Sequence, residues 1–188
     1  MQNLPAKYFS FYFVTPLLPL YLRDVFHADK AMIGLVLSGY SIAALVMRFF
    51  SGYIVDRFSR KKVLLIGYAA FALFFLGYYF TASLILFAVI RTLHGAPFGL
   101  TSVSSSTVAI DVLPSKRRGE GIGYWGLSNN FAMAVGPSMS LWLYTHCNNY
   151  NVLFTVSLVF ALLGLLINSS LELKYRAPVM DKKKISLD

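Results

Sequence analysis

The chain is poor in charged residues, poor in acids and nearly devoid of cysteine. Charged residues make up 13% of its 188 residues and hydrophobic residues 57%, whereas about a quarter of an ordinary globular chain is charged. The single cysteine, Cys147, cannot form an intrachain disulfide, and no Cys/His spacing predicts a zinc site. The composition therefore argues against a soluble fold, and we expect no metal and no cofactor.

The shortage of acids leaves a formal net charge of +9. A nucleic-acid groove would interleave the basic residues with exposed polar and aromatic ones. Here the basic residues stand at the ends of apolar runs, as in a membrane protein with a positive cytoplasmic face. We therefore expect a lipid bilayer as the partner of this surface, and no nucleic acid.

Six apolar segments approach the roughly 20 residues that a spanning helix needs. The predicted spans are 8–22, 31–55, 63–80, 83–110, 121–145 and 151–172. This pattern predicts an all-α membrane protein with one transmembrane unit over 1–173 and a basic linker over 174–188. The short connections predict that sequential helices are antiparallel neighbours.

The first predicted span is short, since 8–22 would rise about 22 Å against a hydrocarbon core of about 30 Å. A cleavable signal peptide is the alternative interpretation. However, the apolar run ends in Tyr21, Leu22, Arg23 and Asp24, with no small-residue cleavage site.

Lysine and arginine are distributed unequally between the two sets of connections. One side carries only Arg23 and Lys30. The other side carries Lys7, Arg57, Arg60, Lys61, Lys62, Lys116, Arg117, Arg118, Lys174, Arg176, Lys182, Lys183 and Lys184. Because basic connections stay in the cytoplasm, we expect a multi-pass plasma (inner) membrane protein with both termini cytoplasmic.

One connection carries a spaced set of small and charged residues. The set consists of Gly52, Asp56, Arg57, Arg60 and Lys61. Composition alone would favour a solvated basic loop that only sets topology. The spacing, however, resembles the signature loop between helices two and three of the major facilitator superfamily, although serine at position 59 replaces the usual glycine.

The resemblance implies the amino-terminal six-helix half of a twelve-helix transporter, built from two three-helix inverted repeats and similar to drug and sugar efflux proteins. It also implies that this loop governs the switch between outward- and inward-open states. Asp111 and Arg118 lie in the next connection on the same side. By resemblance, Asp111 pairs with a basic residue of the first loop, Arg60.

Arg48 and Arg91 lie inside apolar spans, where an arginine costs about 2.5–3.5 kcal/mol on insertion scales. Such residues face a bundle interior or a wet cavity, and snorkelling to the interface is the alternative. Arg91 and His94 also resemble the helix-four motif arginine-x-x-glutamine-glycine, with histidine in place of glutamine. The resemblance implies proton coupling for Arg91; His94 beside it could share this role, and plain hydrogen bonding is the alternative. At 3.6 residues per turn, one side of this helix carries Arg91, His94, Thr101, Ser102 and Ser105, which we expect to line a cavity.

The fifth span contributes small residues and one polar candidate. Gly123, Gly136 and Pro137 are spaced like the helix-five motif of exporters, and alanine at 132 replaces one of its glycines. Small residues allow close helix packing, and a proline allows a kink. Asn129 is a further candidate cavity residue on this helix.

The sequence thus predicts secondary active transport of a small organic solute by alternating access, as proton-coupled efflux by an antiporter, with no covalent chemistry. The expected partners are the solute, protons, the bilayer, and a second six-helix half or another copy. The alternative is a truncated, non-transporting membrane fragment or assembly module. A membrane-embedded enzyme lacks support, because no His/Asp/Glu cluster lies within the spans.

Overall fold

The computed structural model describes residues 5–170, and these residues form helices joined by short connections. The helices are α1 (Pro5–Val14), α2 (Leu18–Phe26), α3 (Lys30–Arg57), α4 (Arg60–Gly77), α5 (Leu84–Val112), α6 (Arg118–Cys147) and α7 (Tyr150–Ser169). Short 3₁₀ turns lie at Thr15–Leu17, Tyr78–Phe80 and Ser115–Arg117. The predicted linker 174–188 lies outside the described residues.

The first span is longer than the apolar run predicted. It consists of α1, the 3₁₀ turn Thr15–Leu17 and α2, and a helix from residue 5 to residue 26 would rise about 33 Å. Pro16 and Pro19 each stand in the first turn of a new segment, where the missing N–H is not needed. The two prolines therefore divide this span without ending it.

Three helices begin at a polar side chain that accepts a hydrogen bond from the first turn. Asp29 accepts from the Met32 amide at 2.8 Å, and Ser83 accepts from the Leu86 amide at 3.2 Å. Asn149 accepts from the Asn151 amide at 2.9 Å. Such caps satisfy amides that a helix leaves without a partner, so each chain reversal needs only a few residues.

Within residues 5–170, four segments are long and apolar enough to cross a bilayer: Lys30–Arg57, Arg60–Phe80, Leu84–Val112 and Tyr150–Ser169. Their outer sides expose large apolar residues, among them Leu35, Phe49, Phe80 and Ile85. Exposed apolar surface on this scale marks contact with lipid or another protein.

Most of the extensive helix contacts are not between sequential helices, contrary to the prediction. α3 packs chiefly on α5, α6 on α1, and α7 on both α1 and α4. Of the sequential pairs, only α4 and α5 share an extensive interface, whereas α3 with α4 and α6 with α7 meet slightly. A short connection brings two helix ends together, but it does not decide which apolar sides match.

The contacts are symmetric when the first three spans are exchanged with the last three. This exchange turns α1–α2 into α5, α3 into α6 and α4 into α7. The α3–α5 interface then becomes the α6–α1 interface, the α4–α5 interface becomes the α7–α1 interface, and the α4–α7 interface maps onto itself. Each unit has three spans, so corresponding helices run in opposite directions. These are two inverted three-helix repeats.

Two of the equivalent interfaces rely on glycine. A Cβ on Gly95 of α5 would lie 2.2 Å from the Tyr40 carbonyl oxygen of α3. A Cβ on Gly136 of α6 would lie 3.1 Å from the Tyr12 backbone of α1. Small residues at such points let the helix backbones approach closely.

Candidate functional site

The connection between α3 and α4 meets the end of α5 in a charged contact, which we call the basic-end junction: Asp56, Arg60 and Asp111. Arg60, the first residue of α4, forms an ion pair with Asp111 in the last turn of α5. A second nitrogen of Arg60 lies 3.5 Å from Asp56 of α3. The pair that the resemblance implied is present, and it ties three helix ends together.

The other residues of the signature loop lie around this junction. Arg57 donates to the Tyr53 hydroxyl, with its guanidinium 5.6 Å from the Tyr53 ring, and not to Asp56. Lys61 is half-buried in the first turn of α4, while Arg118 is exposed at the first residue of α6. Gly52 is also exposed, and no atom lies within 4 Å of a Cβ built on it.

Arg91 lies in the packed interior, 2% exposed. Its Nη1 donates to the Tyr78 hydroxyl at 3.1 Å, and its guanidinium stands 4.0 Å from the centre of the Tyr40 ring. The Tyr78 hydroxyl also lies 2.7 Å from Nδ1 of His94. One tyrosine thus joins the arginine and the histidine that the helix-four motif singled out.

The stripe predicted on α5 faces packed side chains, not an open cavity. His94, Thr101 and Ser105 are buried. The His94 ring is surrounded by the rings of Phe71, Phe74, Phe75, Tyr40 and Tyr78. Hydropathy located the polar side of α5, but the aromatic residues of α3 and α4 that cover it are remote in sequence.

Lys7 was counted as a loop residue, and the structure corrects this. It is fully buried in α1, its Nζ donates to Ser102 of α5 at 3.4 Å, and it stands 4.5 Å from the Tyr8 ring centre. Arg48 is exposed on α3. The predicted first span began at residue 8 and therefore left Lys7 outside it.

On α6, Asn129 is half-buried. Its Oδ1, like Nε1 of Trp125 one turn earlier, is inaccessible to solvent and has no hydrogen-bond partner within the part of the chain that the structure describes. Sequence reasoning missed Trp125. Gly123 is exposed with open space around it, and α6 continues through Pro137 without interruption.

The opposite end of the bundle has its own polar contact, which the sequence did not indicate. We call it the opposite-end junction: Asp24, Tyr144 and Tyr150. Tyr150, the first residue of α7, donates to Asp24 of α2 at 2.7 Å and accepts from Tyr144 of α6 at 2.9 Å. The hydrogen bonds from Tyr150 and from Arg23 lower the pKa of the Asp24 carboxyl.

A bundle of apolar helices in two inverted repeats, with a buried arginine and a charged junction at one end, defines a membrane transport fold. The family model of the Major Facilitator Superfamily matches residues 6–185. The chain belongs to this superfamily and has the fold of one six-helix half of a twelve-helix transporter.

Individual relatives agree with this assignment. The chain is 31% identical to a Na(+), Li(+), K(+)/H(+) antiporter of Planococcus maritimus over 93% of its own length and 42% of the antiporter. It is 30% identical to the staphylopine export protein of Staphylococcus aureus over 71% of the chain and 33% of that protein.

Among solved structures, the chain resembles the human organic anion transporter MFSD10 (TETRAN). The TM-score is 0.71 at 20% identity, over 87% of this chain and 43% of the transporter, so this likeness concerns the fold. The chain spans less than half the length of each of these three proteins.

Proposed function

We propose that the chain is the amino-terminal half of a proton-coupled antiporter that exports a small organic solute by alternating access. The observation that carries this proposal is the Arg91–Tyr78–His94 chain of contacts at the centre of the bundle. A buried guanidinium is costly in a membrane and marks a functional path. Two relatives, one named an antiporter and one an export protein, support antiport and export as the proposed activity.

In this proposal, Arg91 and His94 couple the solute to protons, and their shared partner Tyr78 holds them in place. Arg48, Ser102 and Asn129 contact the solute or water. The buried polar atoms of Asn129 and Trp125 support such a role for α6, because unpartnered buried polar groups are costly. Gly123, Gly136 and Pro137 adjust α6 as the bundle changes shape.

The basic-end junction supplies the gate. Paired ions at an interface between helix ends can differ in pairing between two states, so breaking the Arg60–Asp111 pair would release the end of α5. Gly52, Asp56, Arg57, Lys61 and Arg118 extend this gate toward a second six-helix half or another copy. If the basic end lies on the cytoplasmic side of the plasma (inner) membrane, this gate closes the transport path on that side.

The test is proton movement in proteoliposomes that contain a pH-sensitive dye. The chain would be challenged with Na+, K+, a fluorescent organic cation and an organic anion. Proton flux driven by an organic solute, lost in Arg91→Ala, would support the proposal. The exposed Lys116→Ala is the control, because Lys116 has no role in the proposed centre or gate, and it should keep the proton flux of the unmodified chain.

Asp111→Asn tests the gate separately. It removes the charge of a partly exposed ion pair worth about 0–1 kcal/mol, so the chain should stay folded while the rate of flux changes severalfold. Unchanged flux would remove the gating role from this pair.

The alternative function is a non-transporting membrane assembly module, which the exposed apolar sides of the helices would also fit. An inserted, folded chain that moves no protons with any probe would support this alternative. Flux restored by a separately expressed second half would instead support a transporter made of two halves.

A further inference from the structure

The repeat symmetry relates the two junctions to each other. Exchange of the repeats takes the end of α5 to the end of α2, the start of α4 to the start of α7, and the end of α3 to the end of α6. The basic-end junction joins the first three of these elements through Asp111, Arg60 and Asp56. The opposite-end junction joins their counterparts through Asp24, Tyr150 and Tyr144.

The correspondence extends to the positions of the residues. Arg60 and Tyr150 are each the first residue of their helix, and each follows a two-residue connection, 58–59 or 148–149. Asp111 and Asp24 each lie in the last turn of their helix. In both junctions, a hydrogen-bond donor at a helix start holds the carboxylate at the end of a span that contains proline.

The chemistry differs in one respect. Arg60 offers a full positive charge, while Tyr150 offers a neutral hydroxyl that is itself held by Tyr144. The Tyr144 and Tyr150 rings pack with centroids 4.7 Å apart, and the Tyr21 ring lies 5.1 Å from Tyr150. A hydrogen bond to a carboxylate is stronger than one between neutral groups, so Tyr150 can still hold the end of α2.

We propose that Asp24, Tyr144 and Tyr150 form a second gate, at the opposite end of the bundle, which holds the end of α2 and opens in alternation with the Arg60–Asp111 gate. This inference rests on the proposed alternating-access function. It assigns Tyr150 as the positioning residue for α2, as Arg60 is for α5. The turn at Thr15–Leu17 divides the held span, so release at Asp24 would free α2 to move relative to α1.

The test is hydrogen–deuterium exchange of the 188-residue chain in lipid nanodiscs, without any solute. Tyr150→Phe removes the hydroxyl and keeps the ring, and Asp24→Asn removes the carboxylate charge. Each should speed amide exchange over 22–28 about three- to tenfold, consistent with loss of one partly exposed hydrogen bond to a charged group. The double variant should be no faster than the faster single one.

Tyr79→Phe is the matched control, because its hydroxyl also bonds to α7, at the Asn151 carbonyl, but does not contact Asp24. It should leave exchange over 22–28 unchanged. If the two gates open in alternation, a second change is expected. When Tyr150→Phe opens the opposite end, amide exchange over 109–113 at the end of α5 should become slower.

Unchanged exchange over 22–28 in both folded variants would overturn the proposal. Faster exchange there without slower exchange over 109–113 would also overturn it, leaving only a local structural bond. Neither measurement requires transport, so failure of the second gate and failure of the proposed antiport can be distinguished.

Discussion

The two sides of α3 differ in what surrounds them. The side toward α5 is so close that a Cβ on Gly95 or Gly99 would lie 2.2 or 2.4 Å from a carbonyl oxygen of α3. The other side carries Gly34 and Gly52, around which a Cβ would meet nothing within 4 Å. Glycine therefore has different structural roles on the two sides. At the α3–α5 interface it allows two helix backbones to approach, whereas on the other side of α3 no described part of the chain requires it.

The same contrast occurs on α6, the helix that the repeat exchange relates to α3. Gly136 packs against α1, whereas Gly123 and Gly126 face open space. α3 and α6 thus share one packed and one open side, as expected of helices that meet further protein or lipid. The contrast shows which side of each helix builds the half-bundle and which side remains available.

The largest effect is expected where the packed side of α3 is broken. Gly95→Ala places a methyl group against the Tyr40 carbonyl oxygen, so α3 and α5 must separate, at a cost of about 1–3 kcal/mol. Gly34→Ala on the open side should instead be neutral or stabilising by up to about 1 kcal/mol, because alanine favours helix. Denaturant unfolding in detergent, followed by circular dichroism, measures both.

Equal unfolding free energies for Gly95→Ala and Gly34→Ala would contradict the contrast between the two sides. A Gly99→Ala variant serves as a second test of the packed side, since its Cβ would also meet an α3 carbonyl oxygen, that of Ala44.

A smaller difference in unfolding free energy is expected between variants of two adjacent tyrosines, Tyr78 and Tyr79. Tyr78 is buried and its hydroxyl contacts both Arg91 and His94, whereas Tyr79 is 40% exposed. Tyr78→Phe leaves a buried guanidinium short of an acceptor, so we expect a loss of about 1–3 kcal/mol in unfolding free energy. Tyr79→Phe should lose about 1 kcal/mol or less.

The same unfolding assay compares the two tyrosines, and proton flux adds a second readout. If Tyr78 positions Arg91, Tyr78→Phe should also reduce flux. A Tyr78→Phe chain as stable as Tyr79→Phe would show that the interior hydrogen bonds contribute little.

Sequence reasoning located the helices because they depend on local signals, since apolar length and charged ends mark a span. The Arg60–Asp111 pair joins residues 51 positions apart, and only the resemblance to the family implied it. Sequence reasoning did not find Tyr78 beside Arg91, the burial of Lys7 or the Asp24–Tyr150 bond. These depend on which helices pack together, and repeat symmetry, not chain order, decides that here.

Gly52 is a second case in which the sequence alone does not decide which helices are in contact. A glycine permits close helix contact, but it does not show that contact occurs. Whether contact occurs depends on the side of α3 that it occupies, and the structure places it on the open side.

The smallest expected effect concerns pH, and it compares the two ends. Asp24 has a pKa below its usual value because Tyr150 and Arg23 donate to it. Its carboxylate therefore stabilises the opposite-end junction at every pH above its unfolded pKa of about 3.9. This stabilisation is lost only as the pH falls through the lower folded pKa.

Amide exchange over 22–28, corrected for its intrinsic pH dependence, should then be constant from pH 5.5 to 8. His27 also acts electrostatically on Asp24, so His27→Gln is the control background. If the pH independence holds in that background, the proposed proton coupling does not act through Asp24, and Arg91 and His94 remain its proposed residues. A change in exchange centred between pH 5.5 and 8 that persists in His27→Gln would contradict the assignment of Asp24 as a charged gate residue throughout that range.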